Sequence, residues 1–275
     1  MSADSVLTST PQAPPPPPPC IVAFAPRERM RTLVKSAFPR RRCRVVFTRT
    51  ANDFGAAFRK ELVDAALVDV ASAHDDTWTA AAFAREFPSA PFFAIASLRA
   101  GEGPAIAQCV ELEFADVLVE GIDDGCARDI VSSRGFSARF SDALRAPPTV
   151  LSLTTTVQQR AWEYIVAHAG RRVRTVNLAR RLGVTREHLS RTFAANDSPN
   201  LKRVIDLVRL LAAAELAKNP GYDIRDVACV LDFASSSHLS STAQRVVGTK
   251  PASLARLRSV DLIQRFTRGH GRSRS

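Results

Sequence analysis

Residues 175–194 read TVNLARRLGVTREHLSRTFA, and this stretch decides how the second half of the chain folds. Thr175 is a residue type that caps helices, and Val176–Leu182 follows as a short amphipathic segment. Gly183 closes it, because the left-handed conformation that ends a helix costs glycine little. Thr185 then caps a second helix over Arg186–Ala194. On that helix Leu189 and Phe193 stand four apart and turn inward with Val184. Glu187, Ser190, Arg191 and Ala194 recur at i, i+3, i+4 and i+7 on the opposite face. That stripe offers a bidentate donor, a hydroxyl and an acceptor, the groups that read base edges in a major groove. Arg191 suits guanine O6 and N7, and Glu187 suits a cytosine amino group. The plainer alternative is a surface ion pair between Glu187 and Arg191 across one turn.

Working outward, the layout recurs. Thr156 opens a helix running to about Ala169, with Val157, Ala161, Trp162 and Ile165 as its apolar stripe. Ser198 and Pro199 open a long helix that runs to about Lys218 and stops at Asn219-Pro220-Gly221. Asp223 caps Ile224–Leu231, and Ser235 caps a helix reaching Val247, closed by Gly248. A short helix, a turn and a capped second helix thus occur twice, which is the helix-turn-helix layout.

On these residues the segment 157–257 resembles the DNA-binding domain of AraC/XylS-family regulators. The matching residues are Leu178-Ala179-x-x-Leu182-Gly183-Val184-Thr185 and His188-Leu189-Ser190-Arg191-x-Phe193. Val208-Arg209-Leu210, Ala213-Ala214, Ile224-x-x-Val227-Ala228, Phe233, Ser237-His238 and Gly248-Thr249-Lys250-Pro251 complete them. The resemblance implies two helix-turn-helix units joined by a rigid helix, reading successive major-groove segments. Candidate DNA-binding residues are Thr185, Arg186, Glu187, Ser190 and Arg191 in the first unit. In the second they are Ser236, Ser237, His238, Ser240, Ser241 and Arg245. Two departures matter. Asp232 replaces the family's glycine before Phe233, and Leu239, Ser241 and Ala243 replace its usual Phe, Arg and Phe. Hydroxyls specify little, so base specificity is expected from the first unit and positioning from the second.

Charge follows the same division. Residues 151–275 hold 21 Lys and Arg against 9 Asp and Glu, while residues 1–150 hold 17 against 18. A neutral half joined to a basic half points to one module that faces DNA and one that does not. The five cysteines, Cys20, Cys43, Cys109, Cys126 and Cys229, form no C-x-x-C pair, which fits reduced thiols. No cationic start followed by an apolar run marks a signal peptide, so a soluble, cytoplasmic, nucleoid-associated protein is expected.

Before Ala146-Pro147-Pro148 the pattern is different. Short apolar runs at Ile21–Ala25, Arg44–Phe47, Ala65–Val70, Pro91–Ile95 and Asp116–Val119 alternate with helical stretches. These are Arg27–Phe38, Ala51–Leu62, Thr77–Phe87, Pro104–Leu112 and Asp123–Leu144, the last one breaking near Gly135. Five such units predict a doubly wound α/β domain over 20–145. The layout resembles a response-regulator receiver (flavodoxin-like), which would place Asp69 at the phospho-acceptor position. The family's acidic pair falls at Ala25 and Pro26, its hydroxyl at Ala96 or Ser97, and its lysine at Glu120 or Gly121. Without the metal site and the lysine, Asp69 reads as a relic or a structural cap, in a degenerate receiver that serves dimerisation or partner contact.

The expected organisation is therefore a disordered proline-rich tail over 1–19, the receiver-like domain over 20–145 and a linker over 146–153. An all-α AraC-type domain over 154–258 and a basic tail over 259–275, disordered over Arg265–Ser275, follow. The expected activity is that of a sequence-specific regulator of transcription, not an enzyme, with no cofactor and no metal. Double-stranded DNA is the expected partner, with RNA polymerase open as a further contact and a homodimer formed through the N-terminal domain. Two other readings stand beside it: an architectural, weakly specific DNA binder, and a phospho-regulated response regulator.

Overall fold

The computed structural model describes residues 15–71, 73–99, 101–195 and 198–271. Most of the proline-rich tail, residues 1–14, lies outside them. Residues 15–19 have no helix or strand, and the Pro19 carbonyl accepts from Arg44 N at 2.9 Å.

Five strands, β1 (Cys20–Phe24), β2 (Arg44–Thr48), β3 (Val63–Asp69), β4 (Phe92–Ala96) and β5 (Asp116–Val119), form one parallel sheet in the order β2-β1-β3-β4-β5. That order is the flavodoxin-like, doubly wound arrangement expected from the strand–helix alternation. β1 and β3 are buried along their whole length because helices cover both faces. Side chains alternate between the faces. Val22, Phe24, Ala66 and Val68 meet α2 (Ala51–Lys60) and α3 (Asp75–Glu86), whereas Ile21, Ala23 and Leu67 meet α1 (Glu28–Ala37) and α5 (Ala127–Arg134). α4 (Gly103–Glu111) completes the first layer through Cys109. The long final segment does break at Gly135, giving α5 and a separate α6 (Phe136–Ala143).

The helical half consists of α7 (Thr156–Ala167), α8 (Thr175–Leu182), α9 (Arg186–Ala194), α10 (Leu201–Leu216), α11 (Ile224–Val230), α12 (Ser236–Val247) and α13 (Ser259–Gly271). α10 is its axis: 13 of its 16 residues are buried, so both flanking units pack against it. Caps at Thr185, Asp223 and Ser235 form as expected. Gly183 and Gly248 close α8 and α12 with φ of 69° and 64°.

Several local expectations are corrected. The N-cap of α7 is Thr155, which forms a capping box with Gln158, leaving Thr156 as the first helical residue. Arg174, not Thr175, precedes α8 and makes no side-chain cap. Ser198 does not cap α10. Its buried hydroxyl bonds the carbonyls of Phe193 and Ala195 and accepts from Gln158 Nε2, and Asn200 takes the cap instead. The disorder expected from Arg265 does not hold as far as Gly271: Ser259–Gly271 folds as α13 because Leu262 and Phe266 are fully buried against the helical core. The stretch after Pro148 is not a free spacer either. It makes a 3-10 turn over Thr149–Leu151, and Leu151 and Leu153 are buried.

The two halves are docked. The Asn219–Tyr222 turn inserts against α2 and α3, with Gly221 N donating to Glu86 O at 2.9 Å and Tyr222 Oη to Phe58 O at 3.0 Å. Asn219 bonds the Ser89 amide and hydroxyl at 2.8 and 2.9 Å. The Tyr222 ring lies edge-on to Phe87, centroids 4.8 Å apart, at the end of a run of phenylalanines through Phe58 and Phe92.

Candidate nucleic-acid interface

α9 is held by its inner face. Leu189 and Phe193 have no exposed surface, while Thr185, Arg186, Glu187, Ser190 and Arg191 are all exposed. The Thr185 hydroxyl accepts from His188 N at 3.1 Å and sets the start of the helix. Burial of two large apolar side chains, each stabilising by roughly 1.5–3 kcal/mol, fixes which face is left outside. The ion pair considered between Glu187 and Arg191 does not form. Glu187 lies 3.8 Å from Arg186 instead, and Arg191 meets no acceptor among the described residues. Its guanidinium is therefore available to a ligand.

Composition-level reading passed over one part of this surface. An open groove of about 740 Å³ runs between α8 and the start of α9, bordered by Arg160, Arg180, Arg181 and Arg186. All four are exposed. The adjacent arginines 180 and 181 were the available signal, since two cations in the last turn of a short helix also complement its dipole. Clustered exposed guanidinium groups suit phosphate oxygens.

The second unit is built differently. Leu239, Thr242 and Ala243 turn inward. Ser237, His238 and Ser241 are exposed, and Ser236 and Ser240 are half-buried. Two hydroxyls are already engaged by their own helix, Ser240 with Ser236 O at 2.8 Å and Ser241 with His238 O at 3.1 Å. The His238 ring packs against Phe233, centroids 5.7 Å apart. Arg245, the only arginine of this helix, is 52% exposed and donates to Asp206 of α10 at 2.9 Å. Asp232, where the resemblance called for glycine, has φ of 54°. Its carbonyl and that of Leu231 accept from Arg209, whose guanidinium is buried and lies 3.7 Å above the Phe233 ring. Burial pulls the Arg209 pKa down, with Asp206 and Asp232 opposing it.

In the α/β half, Asp69 sits at the C-terminal end of β3 with no exposed side-chain surface. Its carboxylate is clamped by Arg27, Nε to Oδ2 at 2.7 Å and Nη2 to Oδ1 at 2.5 Å. Arg27 also lies 3.5 Å from Glu120, which is paired with Arg29 at 2.6 Å and accepts from the Ser97 hydroxyl at 2.8 Å. The Asp69 bond raises the Arg27 pKa further. Burial would raise Glu120, but the Ser97 hydroxyl and the two guanidinium groups outweigh it and hold the carboxyl below its usual range. A guanidinium thus engages both carboxylate oxygens of Asp69. Strand spacing does not point to Arg27, which follows Pro26 one residue past the strand-end positions. Among the described residues, no group of three or more His, Cys, Asp or Glu is placed to hold a metal ion, and no helix is long and apolar enough to cross a membrane.

Comparison with known proteins agrees with this geometry where it reaches. Residues 178–256 match a family described as a helix-turn-helix domain. No curated protein matches the chain. Among solved structures, full-length FixJ from B. japonicum aligns with 12% identity over 82% of this chain and 96% of that one. Its TM-score of 0.38 is too low for the superposition to carry weight. The chain accordingly carries, over residues 178–256, a helix-turn-helix domain similar to those of AraC-type regulators, behind an α/β domain of receiver-like topology.

Proposed function

We propose that the chain is a transcription regulator that binds double-stranded DNA sequence-specifically and reads the major groove mainly through α9. The family match supports DNA binding and regulation of transcription. The observation that carries the finer reading is the exposed Arg191 guanidinium, with no acceptor among the described residues, beside Ser190 and Glu187 on a helix whose opposite face is locked by Leu189 and Phe193. A bidentate donor carried on the exposed face of a fixed helix suits guanine recognition. Phosphate contacts from Arg180, Arg181 and Arg186 would set the register, and α12 would contribute positioning through Ser236, Ser237 and His238. Arg245, 52% exposed and paired with Asp206 in the free chain, stays a candidate contact of α12 that would exchange this partner for DNA. Partners follow from the same reading: DNA, a second copy of the chain through the α/β domain, and RNA polymerase where activation requires it. A cytoplasmic, nucleoid-associated location is part of the proposal.

The test is genome-wide recovery of bound DNA with wild type and Arg191→Ala side by side. Sharp peaks sharing a motif, lost in the variant, are expected, with a cost of about 1–3 kcal/mol on the specific site. Equal losses on specific and random DNA would make Arg191 a phosphate contact. Broad, motif-free coverage that the substitution leaves unchanged would favour an architectural binder, a reading encouraged by the self-bonded serines of α12.

A further inference from the structure

The α/β half is neutral as a whole, but its charge is divided between the two edges of the sheet. Residues 27–49, which run through α1 and β2, hold nine Lys and Arg against one Glu. Residues 111–129, which run through β5, hold seven Asp and Glu against one Arg. β2 and β5 are the outermost strands on opposite sides of the parallel sheet. The charges also match end to end. Arg40, Arg41 and Arg42 lie in the turn that enters β2, and Glu111 and Glu113 lie just before β5, at the same end of the sheet. At the other end Arg49 follows β2 and Asp124 follows β5. These residues are exposed in the intact chain, with the helical half in place.

The side chains of Arg40, Arg41 and Arg42 meet no carboxylate, and those of Glu111 and Glu113 no cation, among the described residues. Apolar surface accompanies both edges. On the acidic side Val110 and Ile122 are 69% and 74% exposed. On the basic side Phe47 is half-buried, with Arg31 and Lys35 over its ring at 5.6 and 5.7 Å. We propose that copies of the chain associate head to tail, the β2 edge of one against the β5 edge of the next. The proposal rests on the reading that the α/β domain joins copies of the chain, and it says which surfaces meet. A symmetric dimer through either edge would set like charges against each other, which is costly, whereas unlike edges attract. Such a contact leaves one edge of each kind free at the ends, so the assembly grows beyond a dimer. Side chains make the contact, not an added rung of the sheet. Val117 N already donates to Asp116 Oδ1 at 2.9 Å and Val119 N to Asp123 Oδ2 at 2.7 Å, so β5 does not offer these groups to another strand.

The test is sedimentation velocity on the full chain, wild type beside two triple variants at exposed positions. One is Arg40→Ser/Arg41→Ser/Arg42→Ser, and the other is Glu111→Gln/Glu113→Gln/Asp124→Asn. Wild type should grow past a dimer with rising concentration. It should dissociate between about 0.1 M and about 1 M salt, as the Debye length falls from roughly 10 to 3 Å. Each variant alone should stay monomeric. An equal mixture of the two should form a dimer and nothing larger, because one intact acidic edge meets one intact basic edge. That rescue also shows that both variants are folded. A wild-type dimer that neither variant disturbs overturns the head-to-tail contact and leaves self-association standing. A wild-type monomer overturns both. Assembly unchanged in the arginine variant, with weakened DNA binding, overturns the proposal and assigns the β2 edge to DNA.

Discussion

Asp69 shows how one neighbour decides the chemistry of a residue. A carboxylate at the end of the third strand of such a sheet can accept a phosphoryl group only if a cation and an open approach are supplied. Here Arg27 occupies both of its oxygens. Acetyl phosphate should therefore leave the intact mass of the protein unchanged, and an 80 Da adduct on Asp69 would refute this. The same pair predicts an asymmetry in stability. Arg27→Ala strands a carboxylate with no exposed surface and should cost about 3 kcal/mol. Asp69→Ala leaves a guanidinium that is 24% exposed and still beside Glu120, and should cost only about 1–2 kcal/mol. Urea denaturation of both variants checks the order. Asp232 is a second residue at odds with its place, since φ of 54° is a left-handed conformation that favours glycine. Asp232→Gly should stabilise by about 0.5–1 kcal/mol, less the small attraction lost to Arg209, and a lowered melting temperature would contradict it.

At the scale of elements, the two helix-turn-helix units share a layout and differ in what they present. α9 shows an exposed arginine with no acceptor among the described residues, whereas α12 shows serines bonded to their own helix and an exposed arginine paired with Asp206. α8 adds Arg180 and Arg181 at the edge of the open groove. If these two contact phosphates, the double variant Arg180→Ala/Arg181→Ala should weaken specific and random DNA alike. The slope of log K against log salt should shrink by roughly 1.8, at about 0.9 per phosphate contact. Anisotropy titrations across a salt series would read both. A loss confined to the specific site would assign them to base recognition instead.

For the whole molecule, the decisive feature is that the halves are packed rather than tethered. The Cβ of an alanine at 221 would lie 2.6 Å from Phe87 Cζ and 2.8 Å from its Cε1, so this turn fits only while it has no side chain. Gly221→Ala should lower stability by about 1–3 kcal/mol and expose the Phe58 and Phe87 region to hydrogen exchange. Unchanged exchange and melting would mean that the docked arrangement does not hold in solution. Much of the fold was legible beforehand because it rests on local rules. The apolar runs at Ile21–Ala25 and Ala65–Val70 announced buried parallel strands, and Leu189 with Phe193 marked the inner face of α9. Helix starts were less legible. Thr156, Thr175 and Ser198 all have the right chemistry for a cap, and neighbours such as Gln158 decided which residue was used.

The sequence by itself determined the α/β-then-helical organisation, the two helix-turn-helix units and the outward stripe of α9. Period, caps and turn glycines act over a few residues, and hydrophobic burial then selects the face. Only the tertiary structure decided that Arg27 closes over Asp69, that Arg245 pairs with Asp206, that α13 packs as a helix and that Asn219–Tyr222 locks the halves together. Each of these joins residues across a tertiary contact, 39 to 164 positions apart for the side-chain bonds of Arg27, Arg245 and Tyr222. A charge or a ring carries no mark along the chain of the partner it will meet, so packing alone makes that choice.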